Sequence, residues 1–431
     1  MYDAVVIGAG PGGYVCAITL AKLGANVCVI EKMGLGGTCT HKGCIPTKYL
    51  HSMADIIRKA KSAKKFGINS SIEVDYKTLK SEMVAIVSKL SSGIGLLFKE
   101  SGVELEEGEA SIKSPNQVQV NGKILETKNI VLATGSHPVC IPGHEFNDRI
   151  VSTDTFFDLE ELPESILIVG GGYSGCEFAS ILNVLGCKVQ LVEMEDNLLP
   201  NQPKEVGLSI EKFMKLDGIN VLTKSKVDKI QSDVVVVNGK EIRPAKILIC
   251  AGRLANLNVN ELKKIGVSFE QNGIKVNDKM QTNVGNIYAI GDVTGNYELA
   301  HVASRQGEIA AQNIMGKNSA MDYDAIPFCV FTFPEIAIVG KCEGKSSEFP
   351  FIANAKANCL GDTKGFIKVF EKDGTLQGVI IIGPHASDLI GEATLAVKMK
   401  LKTKDLIETI HAHPTLPEAF VDALRNLEGK F

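Results

Sequence analysis

Two stretches of this chain carry the same alternation of apolar runs and polar breaks. Ala4-Val-Val-Ile7 has no polar position, the pattern of a parallel strand buried on both faces. It runs into Gly8-Ala-Gly10-Pro-Gly-Gly13, and after a helix-length interval a second apolar run, Val27-Cys-Val-Ile30, ends on Glu31. The order strand, glycine turn, helix, strand and acid then returns in Ile166-Leu-Ile-Val169, Gly170-Gly-Gly172-Tyr-Ser-Gly175, Val189-Gln-Leu-Val192 and Glu193. First glycine and acid are 23 apart in both copies (31 − 8 and 193 − 170), and Gly24 and Gly186 each stand seven residues before their acid. Asn121-Gly122-Lys123 and Asn238-Gly239-Lys240 read as tight hairpin turns, each followed thirteen residues later by a strand-end glycine, Gly135 or Gly252. Four landmarks repeated in register predict two α/β domains of common plan.

The glycine spacing says what those domains hold. In G-x-G-x-x-G the first glycine makes the tight turn, the second lets the backbone approach a pyrophosphate, and the third permits close helix–strand packing. A carboxylate ending the second strand accepts hydrogen bonds from a ribose. The copies differ in length: Gly8 to Gly135 spans 127 positions, Gly170 to Gly252 only 82. The surplus contains a cysteine segment, Gly36-Gly-Thr-Cys39 to Cys44-Ile-Pro-Thr-Lys48, and a polar, lysine-rich helical stretch from about Thr47 to Gly102. The stretch from Ile141-Pro-Gly143 through Pro163 reads as a linker. After Arg253 a strand is expected to deliver Asp292, and from Tyr323 the pattern changes to a separate α+β domain closing in His411-Ala-His413-Pro-Thr-Leu-Pro-Glu418. The expected division is 1–143 and 257–322 for the first domain, 144–256 for the second and 323–431 for the third.

Composition narrows the chemistry. At 431 residues the chain exceeds one ordinary core, and a formal charge of −4 leaves no basic surface suited to nucleic acid or anionic membrane. No apolar run is expected to span a membrane, and a first strand beginning near Met1 leaves no room for a targeting segment, so a cytoplasmic location is expected, or a mitochondrial matrix if a transit peptide was removed. Eleven cysteines, an odd number, are scattered without zinc-type spacing, and no metal site is expected. That usage suits a reducing compartment, where a persisting thiol pair is more often catalytic than structural. Cys39 and Cys44, directly after a dinucleotide site, read as a disulfide that opens and closes on each turnover.

The cysteine segment, the doubled fingerprint, Gly291-Asp292 and His413-Pro-Thr415 to Glu418 together resemble the flavin-dependent disulfide reductases, over essentially the whole chain and in family order. Within them the resemblance is to the branch that oxidises dihydrolipoamide. It implies two Rossmann-like dinucleotide-binding domains, FAD in the first and NAD in the second, and a C-terminal interface domain forming a homodimer that serves lipoyl domains of 2-oxoacid dehydrogenase or glycine cleavage complexes. It implies that Gly8, Gly10, Gly13 and Glu31 hold the FAD pyrophosphate and ribose. Thr38, Ala110, Thr134, Gly135, Asp292 and the Leu299-Ala300-His301 stretch would line the rest of the flavin site. Lys48 would lie near the reacting flavin nitrogen with Glu177 as its acidic partner. Gly170, Gly172, Gly175, Glu193 and Gly252 would hold the nicotinamide cofactor. His413, steadied by Glu418, would come from the other subunit to abut the Cys39–Cys44 disulfide, while His411 and Arg253 are read as structural.

Glu193, followed by Met194-Glu-Asp-Asn197 and no arginine, suits the free 2′-hydroxyl of NAD and repels the 2′-phosphate of NADP. Some positions depart from the family. Thr40-His41-Lys42 between the cysteines is more polar than usual. Ala110 stands where glycine is frequent, and Tyr173 resembles the glutathione reductases. The regions 340–349 and 223–235 are short. The alternatives are another NAD(P)H-dependent disulfide reductase, glutathione-reductase-like, and a flavin-bearing subunit without turnover.

Overall fold

The computed structural model describes residues 1–231 and 233–429, which divide into two compact units. The first comprises Met1–Ser52, Ser71–Leu162 and Leu248–Asp322; the second comprises Met53–Ser70, Pro163–Ile247 and Tyr323–Phe431.

In the first unit the two apolar runs form the strands Tyr2–Ile7 and Val27–Glu31, paired in parallel with Val5 opposite Cys28. Parallel neighbours Glu104–Glu107, Lys123–Leu132 and Ile287–Ala289 extend the sheet. Ala4, Val5 and Val6 are fully buried because both faces are covered. One face packs against the helices Pro11–Lys22 and Ala300–Ile314, which meet so closely that a Cβ on Gly307 would lie 2.4 Å from the Gly12 carbonyl oxygen. The other face packs with an antiparallel meander, Ser111–Ser114 and Gln117–Val120 joined to Lys123–Leu132.

Asn121 (φ +49°) and Gly122 (φ +82°) make the expected hairpin turn, and Asn238 (φ +46°) and Gly239 (φ +74°) repeat it in the second unit. Two successive left-handed residues match the twist of the flanking strands, which is why Asn-Gly is favoured there.

The expected linker is more structured than its Pro and Gly content suggested. It holds a strand, Ile150–Ser152, and a helical turn, Phe156–Asp158, with Phe156 fully buried. The lysine-rich stretch is two helices, Cys44–Ser62 and Tyr76–Ser101. By length and composition alone Tyr76–Ser101 is apolar enough to cross a membrane, against the expectation that no run is. It is capped by Asp75, whose carboxylate accepts the Thr78 amide, and it places Ile94 and Phe98 in the core of the first unit.

In the second unit Ser165–Val169, Lys188–Val192 and Asn220–Leu222 form parallel pairs, with the helix Tyr173–Val184 following the second glycine turn. The C-terminal portion is an antiparallel sheet ordered Phe328–Val330, Glu335–Gly340, Thr375–Gly383, Phe366–Lys372 and Lys345–Pro350. The helices Ala386–Lys398 and Glu418–Leu427 cover it, burying Ala386, Ala419 and Leu424 completely.

Candidate active site

The glycine loop of the first unit lies at the carboxyl end of Tyr2–Ile7. A Cβ on Gly8 (φ +102°) would lie 2.3 Å from the Ala133 oxygen, and one on Gly13 would lie 1.9 Å from the Gly8 oxygen. Gly10 differs, because a Cβ there would meet nothing within 4 Å. Its bare backbone therefore leaves open space at the N-terminus of Pro11–Lys22, where free amides and the helix dipole favour a phosphate. Glu31 braces the loop: one carboxylate oxygen accepts the Ala9 amide at 2.7 Å, the other the amides of Lys32 and Met33 at 2.8 and 2.7 Å.

Other segments close on the same loop. Gly36 donates its amide to the Ala9 carbonyl at 2.9 Å, and a Cβ on Gly37 would lie 2.8 Å from the Gly10 Cα. Thr134 exchanges hydrogen bonds with Asn256, whose amide also donates to the Gly135 carbonyl. The start of Ala300–Ile314, following Leu299, brings the Ala303 oxygen within 3.1 Å of a Cβ on Gly12, with His301 on the same first turn. The Gly108 amide donates to the Glu31 carbonyl, and Ala110 packs on the adjoining core. The expected flavin residues thus gather at one end of one sheet. A crowded turn, an open glycine and a fixed carboxylate fit a dinucleotide.

Thr38 and Cys39 lie on a short helix, Gly37–Lys42, and Cys44 opens the 19-residue helix Cys44–Ser62. Cys39 and Cys44 form a disulfide with Cα atoms 4.7 Å apart. Gly36 (φ +99°) is needed here because a Cβ would strike the buried Thr40 hydroxyl at 2.1 Å. His41 Nε2 lies 3.0 Å from the Leu35 carbonyl, tying the helix back to the loop that precedes it. At the positive end of a long helix dipole, Cys44 is placed to be stabilised as a thiolate once the disulfide opens. Lys48 follows one turn later on that helix. Elsewhere burial pushes the thiols of Cys16 and Cys28 up to about 12, which leaves them unreactive.

Sequence reasoning missed the support under Asp292. The Ser136 hydroxyl donates to Asp292 at 2.6 Å and accepts from Arg253 Nε at 2.8 Å. Arg253 reaches on to Asp154 at 2.7 Å and to the Ser136 carbonyl at 2.9 Å. Four chain segments meet in this network, and of its members only Asp292 and Arg253 carried a sequence signal, whereas Ser136 and Asp154 carried none.

The second unit repeats the first loop. The Gly171 amide donates to Glu193 at 2.6 Å as Ala9 does to Glu31, and the Glu195 amide takes the other carboxylate oxygen at 2.8 Å. Gly170 (φ +107°) matches Gly8, and Gly172, like Gly10, faces open space. Gly175 is buried in the first turn of Tyr173–Val184. The set fits a second dinucleotide. Glu177 is buried on this helix and accepts the Phe331 amide at 3.0 Å. The Tyr173 ring lies 4.2 Å from that of Phe328, and its hydroxyl accepts from Gln202 at 3.3 Å. Gly252 is grouped with the first unit, its carbonyl accepting the Val139 amide, and Lys48 and Glu177 belong to different units.

Near the C-terminus His413 Nδ1 lies 2.9 Å from Glu418, whose other oxygen accepts the Thr415 amide at 2.7 Å. Those contacts, with the Thr415 amide first, hold the Glu418 carboxyl below its ordinary range. The His413 side chain is 72% exposed, so it faces outward from its own chain.

The family described as pyridine nucleotide-disulphide oxidoreductase matches residues 2–307, and its dimerisation domain matches residues 326–424. The chain belongs to the pyridine nucleotide-disulphide oxidoreductases. Like the family it is an FAD-dependent NAD oxidoreductase, and its dimerisation domain makes it a homodimer. Among its relatives, the dihydrolipoyl dehydrogenase of Chlamydia pneumoniae is 40% identical over 441 residues, covering 98% of this chain and 96% of the relative. That of Geobacillus stearothermophilus is 39% identical over 446 residues, covering 98% and 95%. The crystal structure of LpdA from Mycobacterium tuberculosis matches with a TM-score of 0.91 at 25% identity over 99% of each chain.

Proposed function

We propose that this oxidoreductase converts a protein-bound dihydrolipoyl group to the lipoyl disulfide, with NAD as electron acceptor. The observation that carries the reading is the Cys39–Cys44 disulfide on a segment hydrogen-bonded to the phosphate-type glycine loop. FAD held at the first glycine loop would supply the two-electron chemistry that links the cysteine pair to NAD.

The chain's own residues do the rest. A substrate thiolate attacks Cys39 Sγ, breaking the disulfide and releasing Cys44 as a thiolate. The second substrate thiol, deprotonated by His413 of the partner subunit, attacks the substrate sulfur of the mixed disulfide. That step closes the lipoyl ring and frees Cys39. Glu418 orients the imidazole and stabilises its cation. The Cys44 thiolate is favoured by the helix N-terminus, and Lys48 on the same helix shapes the charge at the flavin. Gly8, Gly10, Gly13 and Glu31 bind the FAD pyrophosphate and ribose. Thr38, Ala110, Thr134, Gly135, Asp292 and the 299–301 turn position the remainder. Gly170, Gly172, Gly175 and Glu193 bind NAD. The division at 143, 256 and 322 separates these roles.

The natural substrates in this reading are lipoyl domains of 2-oxoacid dehydrogenase or glycine cleavage complexes, met in the cytoplasm. Tyr173, its ring tilted against that of Phe328, favours a glutathione-reductase-like nicotinamide pocket, but the acids at Glu193, Glu195 and Asp196 oppose NADPH. Anaerobic titration with dihydrolipoamide tests the proposal. Two-electron reduction with long-wavelength thiolate–flavin absorbance is expected, and its loss in Cys44→Ser. An unchanged flavin spectrum in the native enzyme contradicts it.

A further inference from the structure

The loop that carries His413 is anchored by a second histidine. Ile410 is 96% exposed and the His413 side chain 72%, whereas the intervening His411 side chain is turned inward and only 12% exposed. Its Nδ1 lies 3.0 Å from the Thr409 carbonyl oxygen and its Nε2 lies 3.0 Å from Glu392 Oε1, on the helix Ala386–Lys398. A carbonyl and a carboxylate only accept. Both contacts are hydrogen bonds when each ring nitrogen carries a proton, which is the imidazolium form.

On its other side the loop is tied by Thr415, whose hydroxyl donates to the Ala412 carbonyl at 2.7 Å and whose carbonyl accepts from Asn354 at 3.0 Å. His413 is therefore held between two fixed points, the upstream one being the contact of His411 with Glu392. The charged groups facing His411 are Glu392 across the helix and, at longer range, Glu418.

We propose that His411 is a positioning residue for dithiol oxidation: as an imidazolium clamped between Thr409 and Glu392, it sets the height at which His413 is presented. The inference rests on the reading of His413 as the proton acceptor. Losing one charge-assisted hydrogen bond is expected to cost about tenfold in turnover.

The test uses the full-length, FAD-loaded dimer with His411→Leu, His411→Gln, Glu392→Ala and Glu392→Gln. Dihydrolipoamide-driven NAD reduction is compared with NADH-driven reduction of a quinone dye, which bypasses the disulfide. His411→Leu and Glu392→Ala should lose about tenfold in dithiol kcat, with KM and dye reduction within about twofold of native. Glu392→Gln, which keeps an acceptor, should recover part of the loss. Histidine ¹⁵N resonances, with His411 assigned by its absence in His411→Gln, should show both ring nitrogens protonated. A neutral His411 ring overturns the proposal, and so does near-native dithiol turnover in His411→Leu. Failure of the native enzyme to oxidise dihydrolipoamide, with dye reduction intact, sinks the substrate reading instead, and the resonances still decide the state of the ring.

Discussion

His413 and Glu418 are joined at 2.9 Å across a proline turn, and the carboxylate is held on its far side by the Thr415 amide. The ring is thereby oriented with Nδ1 toward its partner and Nε2 left outward. General-base help from such a group is worth about 10²–10⁴-fold. His413→Gln should lose dithiol turnover by about that factor while FAD content and NADH-driven dye reduction stay normal, as steady-state assays of both reactions will show.

The same pair predicts a pH response. The Glu418 carboxyl is held below the ordinary glutamate value of about 4.5, so its contribution is full above that value and is lost as pH falls through the lowered one. Hydrogen exchange across residues 409–418 should show protection that Glu418→Gln lacks, unchanged from neutral pH down to about 4.5 and fading only below it. Fading near neutrality would contradict the assignment.

Gly10 and Gly13 should fail in different ways. A Cβ on Gly13 would collide with the Gly8 oxygen at 1.9 Å, whereas one on Gly10 would meet only open space. Gly13→Ala should therefore impair folding even before flavin binds. Gly10→Ala should fold, with native-like circular dichroism, and retain little FAD after gel filtration.

Glu193 should set nicotinamide preference. Its carboxylate is braced by the Gly171 and Glu195 amides beside Asp196, so a 2′-phosphate would enter acidic surroundings. Native kcat/KM for NADH should exceed that for NADPH by on the order of 100-fold or more. Glu193→Ala should narrow the ratio chiefly by raising KM for NADH.

Arg253 should act on flavin retention through Ser136. Its ion pair with Asp154 is about four-fifths buried on both sides, between the exposed and fully buried regimes. Arg253→Ala should cost about 1–3 kcal/mol and lower the temperature of FAD release, read by flavin fluorescence, with Arg253→Lys intermediate.

The repeat was legible because it rests on local rules. Apolar runs flank glycines whose φ values only glycine adopts comfortably, and Asn121-Gly122 and Asn238-Gly239 specify their turns within four residues. The acids Glu31 and Glu193 were legible for the same reason. The packing of Phe156 inside an apparent linker was not, since Pro and Gly there punctuate a segment whose burial depends on distant strands. Nor were the links from Ser136 to Asp292 and from His411 to Glu392. Each joins residues far apart in the chain, and a serine or a glutamate carries no periodic or spacing signal of its partner.

NADH formation from dihydrolipoamide, run beside NADPH oxidation by glutathione disulfide, tests the central claim most directly. Rapid NADH formation is expected, abolished in Cys39→Ser and Cys44→Ser, with negligible NADPH oxidation. Rapid glutathione-dependent NADPH oxidation, or NADH formation that survives loss of either cysteine, would contradict it.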